Sequence, residues 1–306
     1  MNDLEYYTPN DMPSQIKAFD SEVKQLGVGK SGKNGLLQVE LQKNNFGKTV
    51  IGELYSETPL HVQKALHYDD SNLAYLYIVS ASGGILQGDR YRIDISMKKD
   101  AQSHITTQGA TRIYSMNSNS ATQMLNISLE ENSYLEFIPD QIIPYQNSRF
   151  YQKLSLNVHN DATMIYSEIV TPGRVAMGES FAYDVCYLKT RATNQNGDYR
   201  FVDITNIEPK KQKIASFGIL DGYQMVGTVY ILTQEKHVME LLEEIDSVIS
   251  GNQDIFGGIT TMKRNTGLLV RILGDNTEQI KGTIFDIVAI LRKKIINMPF
   301  SDIRKT

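Results

Sequence analysis

Apolar and polar residues alternate with a period of two, or form short apolar runs, from Gly35 to about Val202. Tyr91, Ile93 and Ile95 alternate with polar neighbours, which is typical of a half-buried strand. Residues 75–79 form an unbroken apolar run, which is typical of a strand buried on both faces. Gly, Asn and Asp separate these segments and leave little room for helices. The pattern therefore predicts a mainly β protein.

A repeat lies within this β region. Residues 93–101, 125–133 and 154–162 align without gaps, and each copy has three alternating apolar positions, a polar pair, then Asp or Asn and a small residue. Asp and Asn suit tight turns because they tolerate left-handed backbone conformations. Ile105, Phe137 and Tyr166 follow at the same distance in the three copies. The repeat favours a β-helix-like or solenoid-like stack of strands over the alternative, an ordinary antiparallel meander.

The last third of the chain changes to a helical period. Residues 233–249 and 277–298 each place their apolar residues on one helical face, and the second helix is predicted to be capped by Thr277 and stopped by Pro299. Residues 268–273, between the two helices, are predicted to form a buried strand. We therefore divide one domain, 35–306, into a β-stack at 35–216 and a region of strands with two α-helices at 217–306.

Residues 1–34 are polar and end in a stretch rich in Gly, Lys and Ser, so they are predicted to form an N-terminal arm outside the core. Ile16, Phe19, Val23 and Leu26 follow helical spacing after Pro13. This pattern is compatible with an amphipathic helix that docks on a partner and equally with a frayed segment.

Composition excludes several classes of protein. The formal charge of -4 and the pI near 5.8 argue against a general nucleic-acid binder, which needs a concentrated basic surface. A single cysteine, Cys186, excludes an internal disulfide and a CxxC site. No apolar run approaches the about 20 residues that cross a bilayer, and the N-terminus is unlike a signal peptide. We therefore expect no membrane association and a cytoplasmic location.

The usual catalytic and phosphate-binding motifs are missing, including GxSxG, GxxxxGK[ST] and HExxH. The glycine-rich stretch GGILQGD at residues 83–89 is followed by a strand pattern, so no helix N-terminus is available there for a phosphate. We expect these glycines to make a tight turn with positive φ and a close backbone approach.

Carboxylates inside apolar strands need a partner, because an unpaired buried charge is costly. Glu136 and Glu168 lie within such strands, and Asp140 follows Pro139. They could line an oxygen-rich passage for a divalent cation, or each could simply face solvent or pair with an arginine.

Four ordered sequence blocks resemble the UreD/UreH family of urease accessory proteins. They are SGGILQGDR at 82–90, ITTQGATRIY at 105–114, LEFIPDQIIPY at 135–145 and GRVAMGESF at 173–181, and PLHVQK at 59–64 matches a further stretch. The resemblance runs from about Gly35 to the C-terminus. Gln141 and Arg112 replace residues that are common in the family, and the N-terminal arm is longer than usual.

This resemblance implies a right-handed β-helix-like body with two helices and a role as a scaffold, not an enzyme. The implied partners are UreF, the GTPase UreG and the urease apoprotein, in a hetero-oligomer that delivers nickel through an internal tunnel. No tightly bound cofactor is implied, only Ni²⁺ in transit. Oxygen ligands suit an ion that must move on. The candidate tunnel lining is Asp89, Glu136, Asp140, Glu168 and Glu179, with Thr106 and Thr107 as neutral contacts.

Two other functions stay open on the residues alone. A carbohydrate-active β-helix enzyme would use paired carboxylates in an open cleft lined with aromatic residues, and the absence of tryptophan weakens that reading. A purely structural solenoid module is the other alternative.

Overall fold

The computed structural model describes residues 4–21, 32–68 and 71–300. The first strands are β1 Asn34–Lys43, β2 Thr49–Glu57, β3 Leu60–His61, β4 Ala74–Ser80, β5 Arg90–Met97, β6 Gln102–Thr107, β7 Thr111–Ile113, β8 Ala121–Leu129 and β9 Tyr134–Phe137. The later strands are β10 Ile142–Pro144, β11 Arg149–Val158, β12 Thr163–Val170, β13 Val185–Thr193, β14 Tyr199–Ile207, β15 Met225–Leu232, β16 Phe256–Thr261 and β17 Gly267–Gly274. The α-helices are α1 Leu4–Tyr7, α2 Ser14–Lys17, α3 Glu235–Gly251 and α4 Thr277–Leu291, and a π-helical turn, Arg292–Ile296, follows α4.

The strands form a solenoid with two long walls. Sheet 1 has the order β14-β13-β11-β8-β5-β1-β2, and sheet 2 has the order β16-β17-β15-β12-β9-β6-β4-β3. The chain passes from one sheet to the other, so that β5, β8, β11 and β13 pair in parallel in sheet 1 while β4, β6, β9 and β12 do so in sheet 2. Short strands β7 and β10 form a third wall. The predicted mainly β solenoid is therefore confirmed, and the antiparallel meander is wrong for these coils.

The repeat seen in the sequence is the register of the coils. Ile93 pairs with Leu125 and Leu125 with Leu154 in sheet 1. Ile105 pairs with Phe137 and Phe137 with Tyr166 in sheet 2. Because alternate residues of a strand point to the same face, equivalent positions of the three copies stack in the interior.

The turns between the sheets agree with the predicted turn chemistry in two of the three copies. Asp100 and Asn132 adopt the left-handed conformation, with φ of 61° and 57°. In the third copy the turn at Asn160 and Asp161 closes without a positive φ. The backbone conformation of the turn thus differs between copies, although all three carry Asp or Asn there.

Helices α3 and α4 cover the outer face of sheet 2 and create a second core there. Val238, Leu241 and Ile245 of α3 are fully buried, as the helical pattern predicts. The predicted cap of α4 is wrong by one residue, since the Asn276 side chain accepts the hydrogen bond from the amide of Glu278. Among the described residues, no helix combines the length and the apolar character needed to cross a bilayer.

Residues 4–21 of the arm pack on the outer face of sheet 1. Ile16 is fully buried against Tyr151 and Val185. Within residues 4–21 the predicted helix is present as the turn Ser14–Lys17, and two of its four apolar positions, Val23 and Leu26, lie outside the described residues. The division of the chain into an arm and one domain with two parts stays a prediction.

Candidate cation pathway inside the solenoid

A cavity of about 400 Å³ lies between the two sheets. Tyr91, Gln123 and Gln152 line it from sheet 1, whereas Tyr166 and Glu168 line it from sheet 2. Its rim comes from two loops at residues 82–85 and 107–112 and from the corner at residues 139–140. Three of the predicted site residues, Thr107, Asp140 and Glu168, therefore share one cavity.

Glycine allows the two rim loops to approach each other. A Cβ at Gly84 would lie 2.5 Å from the carbonyl oxygen of Arg112 and 2.6 Å from a ring carbon of Tyr114. Gly88, in the same stretch, has φ of 76°. The tight turn and close approach predicted for residues 83–89 are both present.

Asp89 stands behind the cavity wall. Its carboxylate accepts hydrogen bonds from the amides of Lys33 and Leu86 at 2.8 and 2.9 Å and from the Tyr91 hydroxyl at 3.1 Å. Burial raises the pKa of Asp89, and these donors oppose that effect. Asp89 thus reaches the cavity only through Tyr91, which lines it.

A row of polar side chains runs inward along sheet 1. Tyr91, Gln123 and Gln152 occupy matching positions of β5, β8 and β11. The Gln123 amide nitrogen donates to Gln152 Oε1 at 3.2 Å, and the Gln152 amide nitrogen donates to Glu168 Oε2 at 3.3 Å. The row connects the outer part of the cavity with a buried carboxyl group.

Glu168 is only 3% exposed. Burial raises its pKa to about 7, although the nearby Arg271 charge and the hydroxyls of Tyr166 and Tyr230 act in the opposite direction. Near neutral pH this side chain therefore exists in both protonation states, and a cation entering the cavity would favour the carboxylate.

Asp140 lies at the rim of the cavity. Its backbone amide donates to the Thr107 hydroxyl at 2.9 Å, and the ammonium of Lys281 lies 3.1 Å from its Oδ1. Lys281 belongs to α4, so the helical layer supplies a cation to the rim.

Glu136 and Thr106 do not line the cavity. Leu135 and Phe137 point into the solenoid, so Glu136 between them points outwards, to the π-helical turn after α4. There Arg292 Nε and Nη2 contact its two oxygens at 2.7 Å each, and His104 Nδ1 lies 2.7 Å from Oε2. Burial alone would raise the pKa of Glu136, but its hydrogen bonds to His104 and Arg292 lower it to about 2. Thr106 donates to the Ile138 carbonyl on the same face at 2.6 Å.

Glu179 also lies away from the cavity. It pairs with Arg174 and accepts a hydrogen bond from the amide of Gln146 at 3.1 Å. The arginine pairing that the sequence left open is thus realised for Glu136, and Glu179 also pairs with an arginine. The side chains of these residues and of Glu168 face three different environments.

Sequence reasoning missed Gln123 and Gln152. Gln123 lies two residues before Leu125, and Gln152 lies two residues before Leu154; both leucines are inward apolar positions of the repeat. Because alternate residues of a strand share a face, both glutamines point inward. A polar residue at an inward position in two successive copies of the repeat was the sequence signal for a polar interior. Among the described residues, no group of three or more His, Cys, Asp and Glu side chains is placed to hold a metal ion together.

The family model for the UreD urease accessory protein matches residues 33–305. The chain belongs to the UreD urease accessory protein family. It is 42% identical to the urease accessory protein UreD of Cenarchaeum symbiosum over 283 residues, which cover 92% of this chain and 99% of that protein. It is 36% identical to UreD 2 of Brucella suis, covering 92% and 94% of the two chains, and 32% identical to UreD of Photorhabdus laumondii, covering 93% and 89%.

The four blocks that resemble UreD come together in space. The first two form the facing rim loops, and the third supplies Asp140. The fourth packs beside them, because the guanidinium of Arg174 stacks on Tyr145 at 4.1 Å and Tyr145 contacts the ring of Tyr114. The UreD signature thus surrounds one end of the cavity.

Proposed function

We propose that this chain acts in urease maturation as a scaffold that passes Ni²⁺ through the solenoid interior to the urease apoprotein. The observation that carries the proposal is the cavity with Asp140 at its rim and Glu168 at its inner end. The partners are UreF, the nickel-carrying GTPase UreG and the urease apoprotein, in a cytoplasmic hetero-oligomer. GTP hydrolysis belongs to UreG, and this chain performs no catalysis of its own.

The chemistry of the cavity suits transit better than storage. Apart from the guanidinium of Arg112, its polar side chains carry hydroxyl, amide and carboxylate groups, whose oxygen atoms are hard ligands. The carboxylates among its lining residues are Asp140 and Glu168, whereas clustered imidazole or thiolate ligands would hold nickel firmly. Membership of the UreD family favours this role over a carbohydrate-active enzyme or a purely structural module.

The test is nickel delivery by complete maturation complexes that carry single substitutions. Glu168→Leu fills the inner end with an apolar side chain, and Asp140→Asn removes the rim charge. Both are expected to lower the nickel content and the activity of urease while the chain still copurifies with UreF and UreG. Glu131→Gln is the matched control, because Glu131 is a partly exposed carboxylate on a solenoid turn, where it pairs with Lys99. Full nickel loading with both cavity variants would refute the pathway.

A further inference from the structure

The polar row does not end at Glu168. The Tyr230 hydroxyl lies beside Glu168 and donates its one hydrogen bond to Asp203 Oδ2 at 2.6 Å. Asp203 lies on β14, the edge strand of sheet 1, and its side chain is 21% exposed. A second carboxylate at the protein surface is therefore linked to the interior one through a single tyrosine.

A second row of contacts, along sheet 2, also leads from Glu168 to Asp203. Glu168 pairs in register with Thr228 on β15, and Thr228 pairs with Arg271 on β17. Arg271 donates to the hydroxyls of Thr228 and Thr205 at 2.6 and 3.1 Å and forms an ion pair with Asp203. The Arg271 side chain is 35% exposed, so this row also reaches solvent.

The two surface ends of the polar interior are built alike. Asp140 at the rim pairs with Lys281, and Asp203 at the other end pairs with Arg271. Both cations come from the C-terminal layer, from α4 and β17. Partly exposed ion pairs of this kind are weak, about 0–1 kcal/mol, so an incoming divalent ion could displace either cation.

We propose that Asp203 marks a second opening of the pathway and that Arg271 is its gate, a tethered cation that competes with the ion in transit. Lys281 does the same at Asp140. In this arrangement each surface carboxylate attracts a divalent cation but is emptied again when its own cation returns. The inference rests on the proposed function. Arg271 does not bind the ion; it acts through Asp203, for which it competes with the ion.

The test measures the binding of Ni²⁺, without any partner protein, to the purified full-length chain by competition with a chromophoric chelator. Arg271→Met removes a positive charge next to Asp203 and is expected to raise the affinity for Ni²⁺ about tenfold and to slow its release to the chelator about tenfold. Arg271→Lys keeps the charge and should behave like the unmodified chain. Asp203→Asn should lower the affinity and abolish the effect of Arg271→Met when the two are combined.

Arg191→Met is the matched control, because Arg191 stacks on Tyr199 and lines a groove on the outer face of sheet 1. If Arg271→Met binds Ni²⁺ no more tightly than Arg191→Met, the gate is refuted. The outcomes with Glu168→Leu and Asp140→Asn distinguish failure of the gate from failure of the proposed function. Loss of nickel delivery in Glu168→Leu with no effect of Arg271 variants on binding or release refutes the gate alone. Normal delivery in Glu168→Leu and Asp140→Asn refutes the pathway itself, and the gate with it.

Discussion

Arg292 and Glu136 are 156 residues apart in sequence and form a fully buried ion pair. It ties the π-helical turn after α4 to β9 in the middle of sheet 2. The Tyr134 hydroxyl also donates to Glu136 at 2.6 Å, and Arg292 donates to the Tyr75 hydroxyl at 3.1 Å. The pair thus joins the helical layer to the solenoid.

Arg292→Met should therefore destabilise the protein strongly. It leaves the Glu136 charge buried without its main partner, which costs roughly 3–5 kcal/mol. Chemical denaturation would measure this loss. Lys294→Met is the control, since the ion pairs of Lys294 with Glu240 and Glu244 are partly exposed, and removing them should cost less than about 1 kcal/mol. Equal losses in the two variants would contradict the structural role of the pair.

Glu168 should make stability depend on pH in a way that Glu168→Gln does not. Burial raises its folded pKa from 4.5 to about 7, so its contribution is fully present below pH 4.5 and is lost as the pH rises through 7. Relative to Glu168→Gln, the unmodified chain should lose about 3 kcal/mol between pH 4.5 and pH 8. Urea unfolding at both pH values checks this. A difference between the two chains that is the same at both pH values would show that Glu168 titrates normally.

Leu125 occupies the middle of the sheet 1 stack between Ile93 and Leu154 and is 2% exposed. Leu125→Ala should cost about 2–5 kcal/mol, because it leaves a cavity that its neighbours in the adjacent coils cannot close. Leu54→Ala, at a position 41% exposed on the edge strand β2, should change stability by less than about 0.5 kcal/mol. Thermal unfolding compares the two, and similar midpoints would contradict the stacked register.

Gly84→Ala should open the cavity rim. The added methyl group would overlap the Arg112 carbonyl, so the two rim loops must separate at a cost of about 1–3 kcal/mol. Gly109→Ala, in the facing loop, meets no atom within 4 Å and should be close to neutral. Unfolding temperature and hydrogen exchange of residues 82–90 and 107–114 measure both effects. Equal exchange in the two variants would mean that the rim tolerates the methyl group.

The sequence alone was sufficient for the solenoid and for the family. Strand period, repeat and turn residues are local patterns, and parallel coils place equivalent positions side by side. Thus Ile93, Leu125 and Leu154 were aligned correctly without any structure. The buried faces of α3 and α4 followed from helical spacing in the same way.

Only the tertiary structure decided which polar residues share a space. The repeat places Glu136 and Glu168 on opposite faces of sheet 2, but all four residues of β9 are buried, so the sequence did not show that one face meets the cavity and the other the turn after α4. Glu136 consequently belongs to an ion pair with a residue near the end of the chain, while Glu168 faces the interior. Contacts such as Tyr230 with Asp203 and Lys281 with Asp140 join segments far apart in sequence, and no local periodicity encodes them.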